Sequence, residues 1–280
     1  MITAILPTYN RGAALPTTLP RFLALRGVER VVVVDDGSTD DTRQVLAAFD
    51  DPRLTVIRHD PNRGSPAARN TGVEAATTEW VVFLEDDCGF PDDYATTLLR
   101  VATETQADVV GAPWLNVPEE RYAAEVARRR AEPTAEFGLD THPGTFPPHT
   151  METPFLCALA LVRTEVARRV RYDDTLRGNA WREETDFYLR AVEAGHRVVC
   201  TPETASWQAG HWGGGQHPRV VPYEYWLLRN NWAFLRRHAA YLRRHGGVPS
   251  IARAQARLAS RRATILARRA GGAAKRRLRG

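Results

Sequence analysis

Three consecutive acids, Glu85-Asp86-Asp87, follow directly on the apolar run Trp80-Val81-Val82-Phe83-Leu84. Closely spaced carboxylates can hold a hard divalent cation that also touches the phosphates of a substrate. The run before them reads as a strand buried on both faces, and three charges cannot follow it into a core unpaired. They therefore belong at its carboxyl end, the edge at which open α/β sheets bind ligands. A solvated acidic turn is the competing reading of the same residues. Two further apolar runs end in polar loops. Ile2 to Leu6 leads into Pro7-Thr8-Tyr9-Asn10-Arg11-Gly12, and Val31 to Val34 leads into Asp35-Asp36-Gly37-Ser38-Thr39-Asp40.

The elements that must carry these loops are legible in outline. Leu15, Leu19, Phe22, Leu23 and Leu25 fall near helical spacing, and Leu54 to Ile57 makes a third strand. Asp40 or Thr39 can cap a helix running through Val45, Leu46 and Phe49. Ser65 before Pro66 matches a helix N-cap followed by proline, with Arg69 early in that helix. A helix from about Asp92 to Thr105 and a strand at Asp108 to Gly111 continue the alternation. Repeated strand and helix predict a mostly parallel, doubly wound sheet. The prolines and glycines of residues 113 to 150 predict a long loop around a helix at Tyr122 to Arg130. Beyond it come a buried strand at Phe155 to Val162, helices at Arg163 to Val170 and Arg182 to Ala194, short strands at Val198 to Cys200 and Thr204 to Trp207, and an aromatic-rich helix at Pro222 to His238.

Composition narrows the class. With 280 residues and 43% apolar content the chain can bury a sizeable core. No stretch approaches the roughly 20 apolar residues of a membrane span, and the first residues lack the pattern of a signal peptide, which points to the cytoplasm. Cys88, Cys157 and Cys200 are odd in number and set in apolar segments, as buried thiols in a reducing compartment are. The net charge of +5 hides an uneven distribution: residues 236 to 280 carry 14 Lys and Arg and no acid, leaving residues 1 to 235 with a net of −9.

Four stretches in order resemble one family. Pro7-Thr8-Tyr9-Asn10-Arg11, Val34-Asp35-Asp36-Gly37-Ser38-Thr39-Asp40, Asn62-Arg63-Gly64 with Ala68-Arg69-Asn70 ahead of Phe83-Leu84-Glu85-Asp86-Asp87, and Trp181-Arg182-Glu183-Glu184-Thr185-Asp186 resemble glycosyltransferase family 2, the inverting GT-A enzymes. The resemblance implies a GT-A, Rossmann-like α/β domain over residues 1–235. Its nucleotide-sugar half spans 1–111 and its acceptor half 112–235, and residues 236–280 form a basic helical extension. It also implies a nucleotide-diphosphate sugar donor, with a UDP-sugar favoured, an acceptor hydroxyl, and a divalent Mn²⁺ or Mg²⁺ that neutralises the departing diphosphate.

By the same resemblance, Pro7, Thr8 and Tyr9 line the base pocket with Arg11, and Asp36 accepts from a ring N–H of the base. Arg69 serves the pocket or the diphosphate, its other reading being an ion pair with Asp35 or Asp36. Asp87 is the metal ligand. Glu85 replaces the first aspartate of the family's Asp-x-Asp, toward the ribose, and Asp86 either supports the ligands or contacts the sugar. Glu184 is the catalytic base, Glu183 and Asp186 position the acceptor or cap their helix, and Trp181 stacks on a sugar or packs. A family histidine that closes over the diphosphate falls near Gln208 on simple spacing. Here His211 and His217 flank Gly213-Gly214-Gly215, and His211 is the better metal candidate.

The basic extension reads as a peripheral contact with an anionic membrane at the inner face of the plasma membrane, with a solvated tail as its alternative. No nucleic acid is expected as a partner. The acceptor is a glycan, a lipid carrier, a peptide or a small metabolite. A retaining transferase, a sugar nucleotidyltransferase and an inactive nucleotide-sugar-binding protein are the competing functions.

Overall fold

The computed structural model describes residues 1–139, 144–208 and 220–277. Its contacts divide the chain into two units, Met1–Leu176 with Glu183–Gln216, and Arg177–Arg182 with His217–Gly280.

The first unit begins as its hydrophobic pattern dictates. Apolar runs make β1 (Ile2–Thr8), β2 (Val28–Asp35), β3 (Leu54–Arg58) and β4 (Trp80–Phe83), and α1 (Leu15–Leu23), α2 (Thr42–Ala47) and α3 (Ser65–Ala75) connect them. β1 lies between β2 and β4, parallel to both, and β3 is parallel to β2. Alternate residues of β4 feed two layers. Trp80, Val82 and Leu84 join Phe22 and Leu98 on one side of the sheet, whereas Val81 and Phe83 join Tyr172 and Phe187 on the other. Side chains on both faces are thereby removed from water, so the run needs no polar alternation. The close seating of α3 on β1 requires Gly72, where an added Cβ would stand 2.3 Å from Ile5 Cγ2.

The unit continues through β5 (Cys88–Gly89), α4 (Tyr94–Thr105), β6 (Val109–Gly111), β7 (Trp114–Leu115), α5 (Glu119–Ala131) and β8 (Met151–Glu152). β9 (Ala160–Arg163), α6 (Thr164–Val170), α7 (Glu183–Glu193), β10 (Val198–Cys200) and β11 (Ser206–Gln208) complete it. The large sheet runs β3-β2-β1-β4-β9-β6-β10-β8, and β5-β11-β7 form a second, small one. The expected parallel order holds for β1 to β4 and for β6 with β10. In the middle, however, β9 runs antiparallel to both β4 and β6, and β8 is antiparallel to β10. The strand expected over Phe155 to Val162 is shorter for a visible reason. The carbonyls of Cys157 and Leu159 accept from the hydroxyls of Tyr188 (3.1 Å) and Tyr94 (2.7 Å), hydrogen bonds that replace a strand ladder.

The second unit contains α8 (Val220–Arg237), α9 (Ala239–Arg244) and α10 (Ile251–Arg277) with the segment Arg177–Arg182. α8 turns Leu227, Asn230, Phe234 and Leu235 inward. Asn231 donates to the side chain of Gln255 on α10 (2.8 Å), which in turn donates to the carbonyl of Leu228 (3.0 Å). Among the described residues no helix is long and apolar enough to cross a membrane.

Candidate functional site

The register of the parallel strands sets Thr8 beside Asp35 and Ile5 beside Phe83, so the loops after β1, β2 and β4 leave the sheet together. Asp86 is the buried pivot of this edge. It accepts from the Thr8 hydroxyl (2.7 Å) and from Arg11 Nε (2.9 Å), and the same guanidinium reaches Asp87 at 3.5 Å. Burial pushes the Asp86 carboxyl up to about 6; Arg11 opposes the rise and Asp87 adds to it. Both Asp86 oxygens are thus engaged by the chain itself, which favours a supporting task over contact with a sugar. Tyr9, next along, is partly exposed.

Asp36 is committed to the chain itself. Its carboxylate, 1% exposed, accepts from the backbone N–H of Arg63 (2.9 Å) and Gly64 (2.8 Å) and bonds His59 Nδ1 (2.7 Å). It therefore holds the entry to α3, where Gly64 is the N-cap residue at φ 93 and Ser65, expected to cap, is already helical. These groups engage both oxygens expected to meet a base N–H, Oδ1 twice and Oδ2 once. Nothing local in the sequence marks His59 for this task; its other nitrogen meets the hydroxyl of Thr71 at 2.9 Å. Gly37 permits the turn, with φ of 76 and no room for a Cβ beside the Asn62 nitrogen. Asp35 accepts from the Ser38 N–H (2.9 Å) and pairs with Arg58.

Arg69 therefore pairs with neither aspartate after β2. It is buried to 1% exposure and donates to Glu85 (3.0 Å), with its Nε 3.8 Å from Glu183 of α7. Its guanidinium also stacks on Phe83 and Tyr172, at 5.7 and 5.5 Å from the ring centres. Burial works against its charge, but Glu183, Tyr172 and Glu85 outweigh it and hold the guanidinium protonated. One cation thus ties the acids after β4 to the acids that open α7.

Those α7 acids divide. Glu183 is buried, accepts from the Ser65 hydroxyl (3.0 Å), and is pushed up to about 8 by burial; Arg69 opposes that rise and Glu184 adds to it. Asp186 is 1% exposed and accepts from Arg190 Nε (2.8 Å), whose other nitrogens bond the carbonyls of Val170 and Arg171. Where an acceptor contact or a helix cap is expected, the contact present is the one with Arg190, which anchors α7 to the end of α6 at a spacing of four that the sequence displays. The Glu184 side chain is half-buried and makes no hydrogen bond or ion pair with another described residue. Trp181 belongs to the second unit, where the Arg182 guanidinium lies 5.6 Å from its ring, so packing is the role this structure displays.

The raised Glu183 makes stability fall with pH. A carboxyl near 8 in the fold and near the ordinary 4.3 when unfolded costs nothing below pH 4, and the cost grows as pH rises toward 8, because only the unfolded chain releases the proton. Thermal unfolding of the ligand-free chain should show a Tm falling by roughly 5–10 °C between pH 5.5 and 9. Glu183→Gln, which cannot ionise, should remove much of that slope. An identical slope in the variant would refute the assignment.

Glu85, Asp87 and Cys88 bring one ligand atom each within 4.8 Å of one another. The Cys88 thiol stands 3.8 Å from both carboxylates and is pushed far up by burial and by their charges. A thiol that keeps its proton is a poor ligand, so the donors that remain are two carboxylates, the oxygen set that Mg²⁺ and Mn²⁺ accept. Burial, Asp87 and Glu184 push Glu85 up to about 7 against the pull of Arg69, although 39% of its side chain meets solvent. Concentrated like charge of this kind favours a bound cation. The position predicted for a histidine holds Gln208, whose amide donates to the Asp87 carbonyl (2.9 Å), on a strand paired with β5. His211 and His217 lie outside the described residues.

The family model described as glycosyl transferase family 2 matches residues 3–168. A succinoglycan biosynthesis protein of Rhizobium meliloti is 38% identical over 112 residues, covering 40% of this chain and 31% of its own. A pre-mycofactocin glycosyltransferase of Mycobacterium tuberculosis is 28% identical over 204 residues, 72% of this chain and 41% of its own. The chain thus spans less than half the length of either relative. Among solved structures, S. aureus TarS 1-349 in complex with UDP-GlcNAc superposes with a TM-score of 0.59 at 17% identity, covering 88% of this chain and 74% of that one. At that identity the likeness concerns the fold.

Proposed function

The chain belongs to glycosyl transferase family 2, and from that membership we propose that it is a metal-dependent, inverting glycosyltransferase. It moves a sugar from a nucleotide-diphosphate donor to an acceptor hydroxyl. The observation that carries this reading is the meeting of two kinds of acid at one edge: the Glu85 and Asp87 pair, and the uncommitted carboxylate of Glu184, whose charge is felt at Glu85. The UDP-sugar bound by TarS supports a UDP donor here.

Glu85 and Asp87 would hold a Mn²⁺ or Mg²⁺, which supplies neutralisation of the departing diphosphate. Thr8 and Arg11 fix Asp86 and so stiffen the loop on which both ligands sit. Tyr9 offers a partly exposed ring to the base. Arg69 keeps Glu85 and Glu183 at a set separation. Glu184 takes the proton of the acceptor hydroxyl while its oxygen attacks the anomeric carbon. The bond from that carbon to the diphosphate oxygen breaks, its electrons leave with the nucleotide, and configuration inverts because attack comes from the opposite face. The acidic family motif just after residue 181 supports Glu184 over Glu183 as base, since Glu183 is buried against Arg69 and Ser65. A contact of residues 236–280 with an anionic membrane surface accompanies this reading.

Calorimetry with UDP, GDP, TDP and their sugars, with and without Mn²⁺, tests it. One nucleotide should bind in a Mn²⁺-dependent way, and Asp87→Ala should weaken that binding by about tenfold or more. Failure of all of them to bind would sink the proposal.

A further inference from the structure

Charge is divided between the two units of this chain with unusual sharpness. The first holds 20 Lys and Arg against 32 Asp and Glu; the second holds 18 against a single acid, Glu224. Even that acid is neutralised, since Arg262 of α10 donates to it at 2.9 Å. The second unit therefore presents a positive field with nothing of its own to oppose it.

Its first helix adds a pattern that net charge alone would not. The inner face of α8 is spent on Leu227, Asn230, Phe234 and Leu235, and on the bond from Asn231 to Gln255. Its outer face carries Tyr225, Arg229, Trp232 and Arg236, four, three and four residues apart, hence along one side of the helix. Val221 continues that side. All three apolar members are open to solvent, with Val221 79%, Tyr225 59% and Trp232 38% exposed, and both arginines are exposed. From Val221 to Arg236 the stripe runs about 22 Å at 1.5 Å per residue.

We propose that this outer face of α8 docks on an anionic lipid bilayer, lying in the plane of the headgroups. An aromatic ring with one polar edge is at its best at the headgroup level, and guanidinium groups set between the rings meet lipid phosphates there. A helix buried in a protein interface would present a broader apolar stripe, whereas this one alternates rings with cations along its length. The exposed Arg253 and Arg257 of α10 add long-range attraction. The docking element is thus α8, whose stripe precedes the basic residues 236–280 except at Arg236, and it is independent of donor chemistry in the first unit.

Co-sedimentation of the full chain with vesicles decides the matter. It should pellet with phosphatidylcholine vesicles that include phosphatidylglycerol, should not pellet with phosphatidylcholine alone, and should be released by high salt. Tyr225→Ser with Trp232→Ser should weaken partitioning by about tenfold, and Arg229→Gln with Arg236→Gln by a similar factor. All four positions are exposed, so circular dichroism should report unchanged folding. No pelleting with the anionic vesicles would overturn the proposal. So would pelleting that neither pair alters, which would give the binding to the tail, or retention of duplex DNA without vesicle binding.

Discussion

Glu184→Gln is expected to lower kcat by about 10²- to 10⁴-fold, the range that a positioned general base contributes, while leaving nucleotide affinity within about twofold. The amide keeps the shape and removes only the capacity to accept a proton. Because the Glu184 side chain makes no hydrogen bond or ion pair with another described residue, the substitution strands no partner, and the Tm should hold. Steady-state kinetics at saturating donor, set beside calorimetry of the nucleotide, separates the two effects. Removing the Glu184 charge also relieves Glu85, which it pushes upward, so metal affinity should shift slightly and in the direction of weaker attraction. An unchanged kcat would dismiss Glu184 as the base. A lost kcat together with lost nucleotide binding would place it among the metal-binding acids instead.

The second large effect concerns stability. At pH 8.5, Arg69→Met should destabilise the chain by about 3–5 kcal/mol, the loss seen when one member of a buried ionic group is removed. Methionine fills most of the space beside Phe83 and Tyr172, so the cost arises chiefly from the acids left behind, Glu85 and Glu183. That origin gives it a pH signature. When Glu183 holds its proton there is little stranded charge, and the penalty is small; as pH rises, deprotonation in the unfolded chain pulls against a fold that now resists it more strongly. Urea unfolding of wild type and variant at pH 5.5 and 8.5 should therefore show a difference that grows with pH, and adding Glu183→Gln should recover part of it. A penalty that is constant with pH would assign the loss to packing.

Much of this architecture could be read from residue patterns, and the reasons for the exceptions are instructive. Ile2–Thr8, Val28–Asp35 and Trp80–Phe83 are runs whose burial on both faces leaves one structural outcome, and the acids beyond them mark the edge where they end. α7 and α8 also fell where their periodicity put them. β9 was expected as a strand, but its direction was not legible, because Ala160, Leu161 and Val162 bury the same surface whichever way the chain runs. At the edge itself, residue types were readable and partners were not. Asp36 spends its carboxylate on nitrogens 27 and 28 positions away, and Arg69 reaches an acid 114 positions distant, separations that no local pattern encodes. The Asp186 to Arg190 pair, by contrast, lies within one helical turn and could have been seen.

The placement of β9 governs how this protein can be made. β4 emerges early in synthesis with one side paired to β1, and its other side waits for a strand made of residues 160–163. At 5–20 residues per second, the 77 residues from Leu84 to Ala160 take roughly 4–15 s to follow. For that time the nascent chain carries an apolar strand with a bare hydrogen-bonding edge at its centre, the kind of surface that chaperones shield and that unshielded chains use to join one another. β6, the last strand of the first 111 residues, waits with neither side paired, because its neighbours in the sheet are β9 and the still later β10. The two halves of the sheet are thus stitched by a late insertion. Cutting or recombining the chain near residue 111 would separate sequences that look modular but share their central strand.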